Sequence, residues 1–294
     1  MDAPYAKLDQ LEPAIARVLA HNPSAFTYHG TQTYLIGGDE LAVIDPGPDL
    51  PEHLEALEKA ISGRRVVAIM CTHTHRDHSP AAKPLAERSA APIIGCAPLS
   101  LETAGPRADA SFDGDYAPDH VLEDGETIEI DGEPLLAVGT PGHTSNHLCF
   151  AFRDALFTGD HVMAWSTTVV VPPDGDMAAY MQSLDKLRRR DDRIYYPAHG
   201  PAVTKPQQYV RHLVGHRMQR EKQILTLVGE RPREISDIVA NAYPGLDARL
   251  VAAAGGSVCA HLLDLERRGL VERTGDGPSP SGTLPSISER WMAV

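Results

Sequence analysis

The chain has 294 residues, 42% of them hydrophobic and 23% charged, which suits one large domain plus a small one around a real core. No apolar run approaches the roughly 18 residues that span a bilayer, so no membrane partner is expected. The formal net charge of −13 falls unevenly, with 16 basic against 30 acidic residues over 1–205 and 11 against 10 over 206–294; this marks a compositional boundary near 205 and sets the acidic body against extensive nucleic-acid binding.

The opening MDAPYAKLDQLEP lacks a basic segment followed by an apolar stretch, so no secretory signal is expected and the protein reads as cytoplasmic. Cys71, Cys96, Cys149 and Cys259 are widely spaced in apolar surroundings and are expected to be reduced thiols. TQTYLIGG and ELAVIDPG predict two strands joined by a turn at Gly37-Gly38-Asp39. EHLEALEKAIS has apolar residues at helical spacing and stops near Gly63. VVAIMCT predicts a buried strand, after which Ser79-Pro80 offers an N-cap and a first helical residue. Pro84, one turn further in, requires that helix either to kink or to start later. Residues 98–119, rich in Pro, Gly, Asp and Ala, predict a long loop of the kind that covers an active site. Strands follow at TIEI, PLLAVG, HLCFAF and ALFTG, then a helix at MAAYMQSLDKLRRR and a strand at RIYYPA. From about 206 the pattern turns helical, in QQYVRHLVGHRMQREKQILTLV, EISDIVANAY and ARLVAAAGGSVCAHLLDLERRG. The tail LVERTGDGPSPSGTLPSISERWMAV predicts two short strands around a Gly/Pro/Ser loop. Three helices and then a β-hairpin is the order of a winged helix.

The stretch CTHTHRDHSP, residues 71–80, sets His73, His75, Asp77 and His78 within six positions. It could be a metal site, a solvated pH-sensitive patch, or an accident of a chain with 14 histidines. His73 and His75, two apart on an extended segment, point the same way and can meet one ion. Asp77 and His78 follow as the chain turns and can reach a second ion beside the first. The rest of the sequence decides for metal. Three more apolar runs each end in a small-residue turn and a ligand type: LLAVGTPGH delivers His143, ALFTGD delivers Asp160 and IYYPAHG delivers His199. Ligands hung on loops at strand ends are what a rigid sheet-borne site requires.

These motifs, with the upstream VIDPG that contains Asp45, resemble the metallo-β-lactamase superfamily over residues 30–200. GHRMQREKQIL and the winged-helix pattern resemble its β-lactamase-like protein 2 branch. The resemblance implies an α/β fold: the αββα metallo-β-lactamase sandwich over 1–205 and a winged-helix domain over 206–294. It also implies that His73, His75 and His143 hold one zinc, that Asp77, His78 and His199 hold the other, and that Asp160 bridges them. The second site carries no cysteine, as in the all-His/Asp hydrolase pattern.

The expected cofactor is therefore two Zn²⁺, with Mn²⁺ or Fe as alternatives that the ligand chemistry also suits. Two ions about 3.5–4 Å apart can share a hydroxide near neutral pH and polarise a carbonyl or phosphoryl oxygen. Asp77 is expected both to bind metal and to act in catalysis, orienting the attacking hydroxide or accepting its proton. Asp45 is read either as a support for a ligand loop or histidine or as a plain turn residue before Pro46-Gly47. His147 and His161, beside ligands, are read as hydrogen-bonded supports rather than substrate contacts. Ser166-Thr167-Thr168 could line the pocket or cap a loop and is left unassigned. The Arg188-Arg189-Arg190 run is read as a solvated helix end, and His212, His216 and His261 as packing or surface residues.

The expected function is a dinuclear zinc hydrolase that uses a metal-bridging hydroxide on an ester-like bond (thioester, lactone, amide or β-lactam) of a small molecule. The absence of an export signal disfavours a physiological β-lactamase. The resemblance also implies an alternative, a metal-dependent phosphodiesterase or endoribonuclease that takes short single-stranded RNA. A non-enzymatic DNA-binding metal sensor is disfavoured, because the candidate recognition helix is Ala/Gly/Leu-rich with arginines at its two ends. The winged helix is expected instead to pack against the catalytic domain or shape its entrance. Oligomeric state is left open.

Overall fold

The computed structural model describes residues 4–99, 112–274 and 289–294. Most of the expected 98–119 loop and the Gly/Pro/Ser tip of the C-terminal hairpin thus lie outside the described residues. The chain forms two compact units. The first comprises Met1–Thr140, Asn146–Thr168 and Arg190–Pro206; the second comprises Pro141–Ser145, Val169–Arg189 and Gln207–Val294.

The first unit is built on two sheets. In chain order it holds β1 (Leu8–Glu12), β2 (Ile15–Leu19), β3 (Gln32–Gly37), β4 (Glu40–Ile44), α1 (Pro51–Ile61), β5 (Arg65–Cys71), α2 (Ala82–Ser89), β6 (Ile93–Gly95) and β7 (His120–Val121). The seven strands lie side by side in numerical order. Pairing is antiparallel up to β4 and parallel from β4 onward. Connection length explains the switch: a tight Gly-rich turn joins β3 to β4, whereas α1 carries the crossover from β4 to β5. The second sheet holds β8 (Thr127–Ile130), β9 (Glu133–Gly139), β10 (Leu148–Phe152), β11 (Ala155–Gly159) and, after the second unit's α3 (Met177–Arg188), β12 (Ile194–Pro197). Its order is β12-β11-β10-β9-β8, with β11 and β12 parallel.

One core serves both sheets. Leu35, Ile36, Val43 and Ile69 of the first cluster with Leu135, Phe150, Phe152 and Phe157 of the second, all buried. The Tyr34 and Phe157 rings meet edge-on at 5.0 Å, a favoured aromatic geometry. Helix α1 buries Leu54, Leu57 and Ile61, spaced three and four apart as a one-sided helix requires. It stops at a left-handed Ser62 just before Gly63. Helix α2 begins at Ala82 with no side-chain cap, not at Ser79. The Ser79 hydroxyl donates instead to Asp113 Oδ2 at 2.8 Å. Pro84 then falls in the first turn, where no intrahelical donor is needed, so no kink is required. Strands β1, β2, β6 and β7 go beyond the sequence reading; they are short and carry little alternation.

Main-chain hydrogen bonds tie the strand ends together. Leu148 N–H donates to Thr72 O at 2.8 Å, Ala198 N–H to Gly159 O at 3.0 Å and Gln32 N–H to Ala198 O at 2.8 Å. The residues that follow β5, β11 and β12 are therefore delivered to one place.

In the second unit, α3 is joined by α4 (Pro206–Glu230), β13 (Arg233–Glu234), α5 (Ile235–Ala242), a 3₁₀ turn at Ala248–Leu250, α6 (Val251–Arg267), β14 (Val271–Thr274) and β15 (Arg290–Ala293). Its small sheet runs β13-β15-β14, completing a winged helix. Ala248–Arg267 is long and apolar enough by length and composition to cross a membrane. Here Val258, Leu262 and Leu265 of that helix form a core with Ile224, Val228, Ile238 and Trp291.

Candidate metal centre

Asp45, at the end of β4, organises the loop that follows β5. It sits at φ 49°, is only 2% exposed, and accepts three hydrogen bonds. Thr72 N–H reaches Oδ1 at 2.8 Å, while Thr72 Oγ1 and His78 Nδ1 reach Oδ2 at 2.9 and 3.0 Å. Proton positions follow from these partners. A carboxylate only accepts, so His78 donates from Nδ1, and Thr72, having spent its proton on Asp45, accepts from His73 Nδ1 at 3.0 Å. His199 likewise donates from Nδ1 to Gly30 O at 3.2 Å. All three imidazoles thus carry a proton outward on Nδ1 and turn Nε2 inward, the orientation a metal ligand needs.

The inward atoms converge. His73 Nε2 lies 3.0 Å from His75 Nδ1. His199 Nε2 lies 3.1 Å from Asp77 Oδ2 and 3.3 Å from Asp160 Oδ1; for His78 Nε2 the same two distances are 3.5 and 3.7 Å. The donor atoms of His73, His78 and Asp160 all fall within 4.8 Å of one another, as do those of Asp77, His78 and His199. His78 belongs to both groups. His73, His78 and His199 are buried, while His75 and Asp77 are partly exposed. Phe112 pairs with the His75 backbone, and Asp113 N–H donates to Thr74 O at 2.6 Å, fixing the outer side of the motif.

The electrostatics call for a cation. Burial alone would raise the Asp77 carboxyl, yet His78 and His199 hold it well below the usual carboxylate range. Burial alone would lower His78, yet Asp77, Asp45 and Asp160 hold it well above the usual histidine range. His199 is raised too, by Asp160 and Asp77 against its burial. His78 Nε2 is buried without a hydrogen-bond partner among the described residues, facing two carboxylate oxygens. An imidazole nitrogen set against carboxylates needs positive charge there, from a proton on the ring or from a bound cation in its place. Imidazole nitrogen with carboxylate oxygen is the donor chemistry of Zn²⁺, and Mn²⁺ or Fe also accept it. The residues present fit such an ion.

His143 lies in the turn between β9 and β10 and packs with the second unit. Its Nδ1 donates to Val169 O at 2.6 Å. His147 accepts the Asp160 N–H on Nε2 at 3.3 Å, bonds Thr140 Oγ1 through Nδ1 at 2.9 Å, and stacks on His73 with centroids 5.1 Å apart. His161 is fully buried, 5.8 Å from the His147 ring. The Thr168 hydroxyl reaches the carbonyls of Asp160 and His161 at 2.7 and 2.9 Å, so it braces the Asp160 loop. Arg188 and Arg189 pair with Asp185, and Arg190 with Asp192. His212 is exposed, His216 half-buried and His261 buried, and all three belong to the second unit.

Sequence reasoning passed over Thr72, Gly30 and Gly159, and left Thr168 unassigned between pocket lining and loop cap. Gly159 sits at φ +47°, and a Cβ there would come 2.6 Å from Thr72 Oγ1 and 2.8 Å from His147 Nε2. Its place before Asp160 in a strand-ending turn was a usable signal for close approach. Gly30 carried none, because its role is a carbonyl that meets a histidine 169 residues away.

Residues 27–199 match the metallo-beta-lactamase superfamily, and residues 235–280 match the beta-lactamase associated winged helix domain. The chain is 30% identical to a Caenorhabditis elegans beta-lactamase-like protein 2 homolog, over 90% of this chain and 88% of the relative. It is 31% identical to an atrochrysone carboxyl ACP thioesterase of Aspergillus fumigatus, over 88% of this chain and 78% of that one. A solved metallo-beta-lactamase family protein from Thermus thermophilus superposes with a TM-score of 0.76 at 21% identity, covering 97% of this chain and all of the other; that likeness speaks for the fold.

Proposed function

Because this chain belongs to the metallo-β-lactamase superfamily, we propose that it is a dinuclear zinc hydrolase that cleaves small-molecule thioesters in the cytoplasm. The observation that carries the reading is the inward Nε2 of His73, His78 and His199, set against Asp77 and Asp160. His73, His75 and His143 would hold one ion and Asp77, His78 and His199 the other, with Asp160 a further ligand. Bound there, a pair of divalent ions supplies an acidified water and a Lewis acid for a carbonyl oxygen. The residues of the chain do the rest. Asp77, kept ionised by His78 and His199, would orient the attacking water or accept its proton. Asp45 and Gly30 hold His78 and His199 in the ligand tautomer, and His147 and Thr168 hold the Asp160 loop.

Among ester-like bonds we choose the thioester because a relative at 31% identity carries a thioesterase name. The acidic body, −14 over 1–205 by the residue counts above, disfavours long RNA. In the second unit the arginines flanking α6 already face carboxylates: Arg249 meets Asp247 at 2.7 Å, Arg267 meets Asp176 at 2.6 Å and Arg268 meets Glu221 at 2.7 Å. With these charges already compensated, the helix offers little to a phosphate backbone, which speaks against DNA contact. The buried thiols of Cys71, Cys96 and Cys149 fit a reducing compartment.

Metal analysis of the metal-replete wild type should give two transition metals per chain, and fewer for Asp160→Ala. A wild-type value below one sinks the dinuclear reading. Thioester, lactone, β-lactam, phosphodiester and single-stranded RNA substrates, each with and without chelator, test the class. Chelator-sensitive cleavage of RNA alone would overturn the thioester.

A further inference from the structure

The loop from Asn22 to Thr31, between β2 and β3, presents aromatic side chains beside the ligands. Phe26 is 48% exposed and Tyr28 38%, where rings of that size are ordinarily sequestered. The loop is not slack. Asn22 exchanges hydrogen bonds with Thr31, its Nδ2 donating to Oγ1 and its Oδ1 accepting from the main-chain N–H, both at 2.9 Å. Ser24 Oγ accepts from Phe26 N–H and Thr27 N–H at 3.0 and 3.1 Å, and Ser24 pairs with Tyr28 through the main chain. Tyr28 is held at φ 57°, a conformation bulky residues avoid and one that clusters at functional positions.

The Tyr28 ring lies 5.2 Å from Trp165 at a 34° tilt. Trp165 in turn covers Gly200, where an added Cβ would come 2.5 Å from its Cδ1. Gly200 follows His199, and Gly30, two residues after Tyr28, accepts the His199 Nδ1–H. Trp165 itself is five residues beyond Asp160 on a loop that Thr168 braces. Both rings are therefore anchored through the main chain to ligands of the reacting centre, in a loop too firmly bonded to fold over its own aromatic surface.

We propose that Tyr28 and Trp165 form an aromatic wall that binds the acyl part of the substrate and selects acyl groups with a flat ring next to the carbonyl over flexible alkyl chains. The inference rests on the thioesterase reading for the bond cleaved and on this loop for the choice of acyl group. Ring-on-ring contact adds selectivity beyond apolar burial, and a pre-formed wall loses little freedom when a rigid ring settles on it.

Benzoyl and hexanoyl thioesters of N-acetylcysteamine share a leaving group, so their ratio of kcat/KM reads the acyl preference of the metal-loaded full chain. The wild type should favour benzoyl by roughly tenfold, Tyr28→Leu should erase most of that, chiefly through KM, and Tyr28→Phe should keep it. Independently of turnover, benzamide should quench tryptophan emission saturably and hexanamide should not. The quench should vanish in Trp165→Phe and need several-fold more benzamide in Tyr28→Leu. Equal turnover of both thioesters with Tyr28→Leu lowering both alike, or emission indifferent to benzamide, overturns the wall and leaves the hydrolase reading intact. No thioester turnover together with a Tyr28-dependent quench overturns the thioesterase reading and supports the wall.

Discussion

Replacing Asp45 by Asn changes one atom and should reverse the proton arrangement of two ligands. Oδ1 accepts the Thr72 main-chain N–H, which can only donate, so the amide oxygen must take that place. The amide nitrogen then replaces Oδ2, 3.0 Å from His78 Nδ1 and 2.9 Å from Thr72 Oγ1. His78 must accept on Nδ1 and carry its proton on Nε2, the atom that faces Asp77 and Asp160. Thr72 must accept from the amide, and its freed hydroxyl proton turns toward His73 Nδ1 at 3.0 Å, pushing the His73 proton to Nε2 as well. Partners at this distance from a metal typically change affinity ten- to a hundredfold, which is about 1.4–2.7 kcal/mol. We expect Asp45→Asn to fold, to bind zinc ten- to a hundredfold more weakly in competition with a calibrated chelator, and to show rings that have lost the Nδ1 proton by ¹⁵N shifts in the metal-free chain. Wild-type zinc affinity, with both rings still protonated at Nδ1, would refute the reasoning. Asp45→Ala is less informative, because it strands three buried donors at about 1–3 kcal/mol each.

Gly159→Ala puts a methyl against Thr72 Oγ1 and His147 Nε2 in left-handed backbone; denaturant midpoints should record a loss of at least about 2 kcal/mol, and an unchanged midpoint would contradict the close approach. Thr168→Val, isosteric but without the hydroxyl that bonds Asp160 O and His161 O, should cost about 1 kcal/mol and weaken metal binding in the same chelator assay. Burial, reinforced by Arg217 and Arg220, pushes His261 down to about 3, and neither ring nitrogen has a hydrogen-bond partner among the described residues. The unfolded chain takes up this proton near pH 6.5 and the folded chain does not, so stability is full above about 6.5 and falls toward pH 3 by up to about 1.4 kcal/mol per unit. His261→Leu should therefore be at least as stable at pH 7.5 and decline less steeply between pH 6.5 and 4; an acid slope equal to wild type would exclude His261 as a source.

What could be read beforehand was whatever the chain writes locally. His73 and His75 share a side because strand geometry makes alternate residues parallel, and each later ligand followed an apolar run with a small-residue turn. Helices such as Pro51–Ile61 announced themselves by spacing and by Gly63. Illegible parts depended on distant partners. Ser79 looks like a helix cap until Asp113, 34 residues away, takes its hydroxyl. Asp45 stood between two readings because its partners are 27 and 33 residues off. Strands as short as β6 and β7 exist because β5 offers β6 an edge and β6 in turn offers one to β7, not because three or two residues prefer to be extended.

The hydrogen bonds that tie Leu148 to Thr72, Ala198 to Gly159 and Gln32 to Ala198 use main-chain atoms at both ends. They are indifferent to the side chains those positions carry. The ligand frame can thus be inherited through extensive drift in its surroundings, while a side-chain-bonded loop such as Asn22–Thr31 is rewritten on its own. A lineage built this way can change what it recognises many times over without reinventing the centre that reacts.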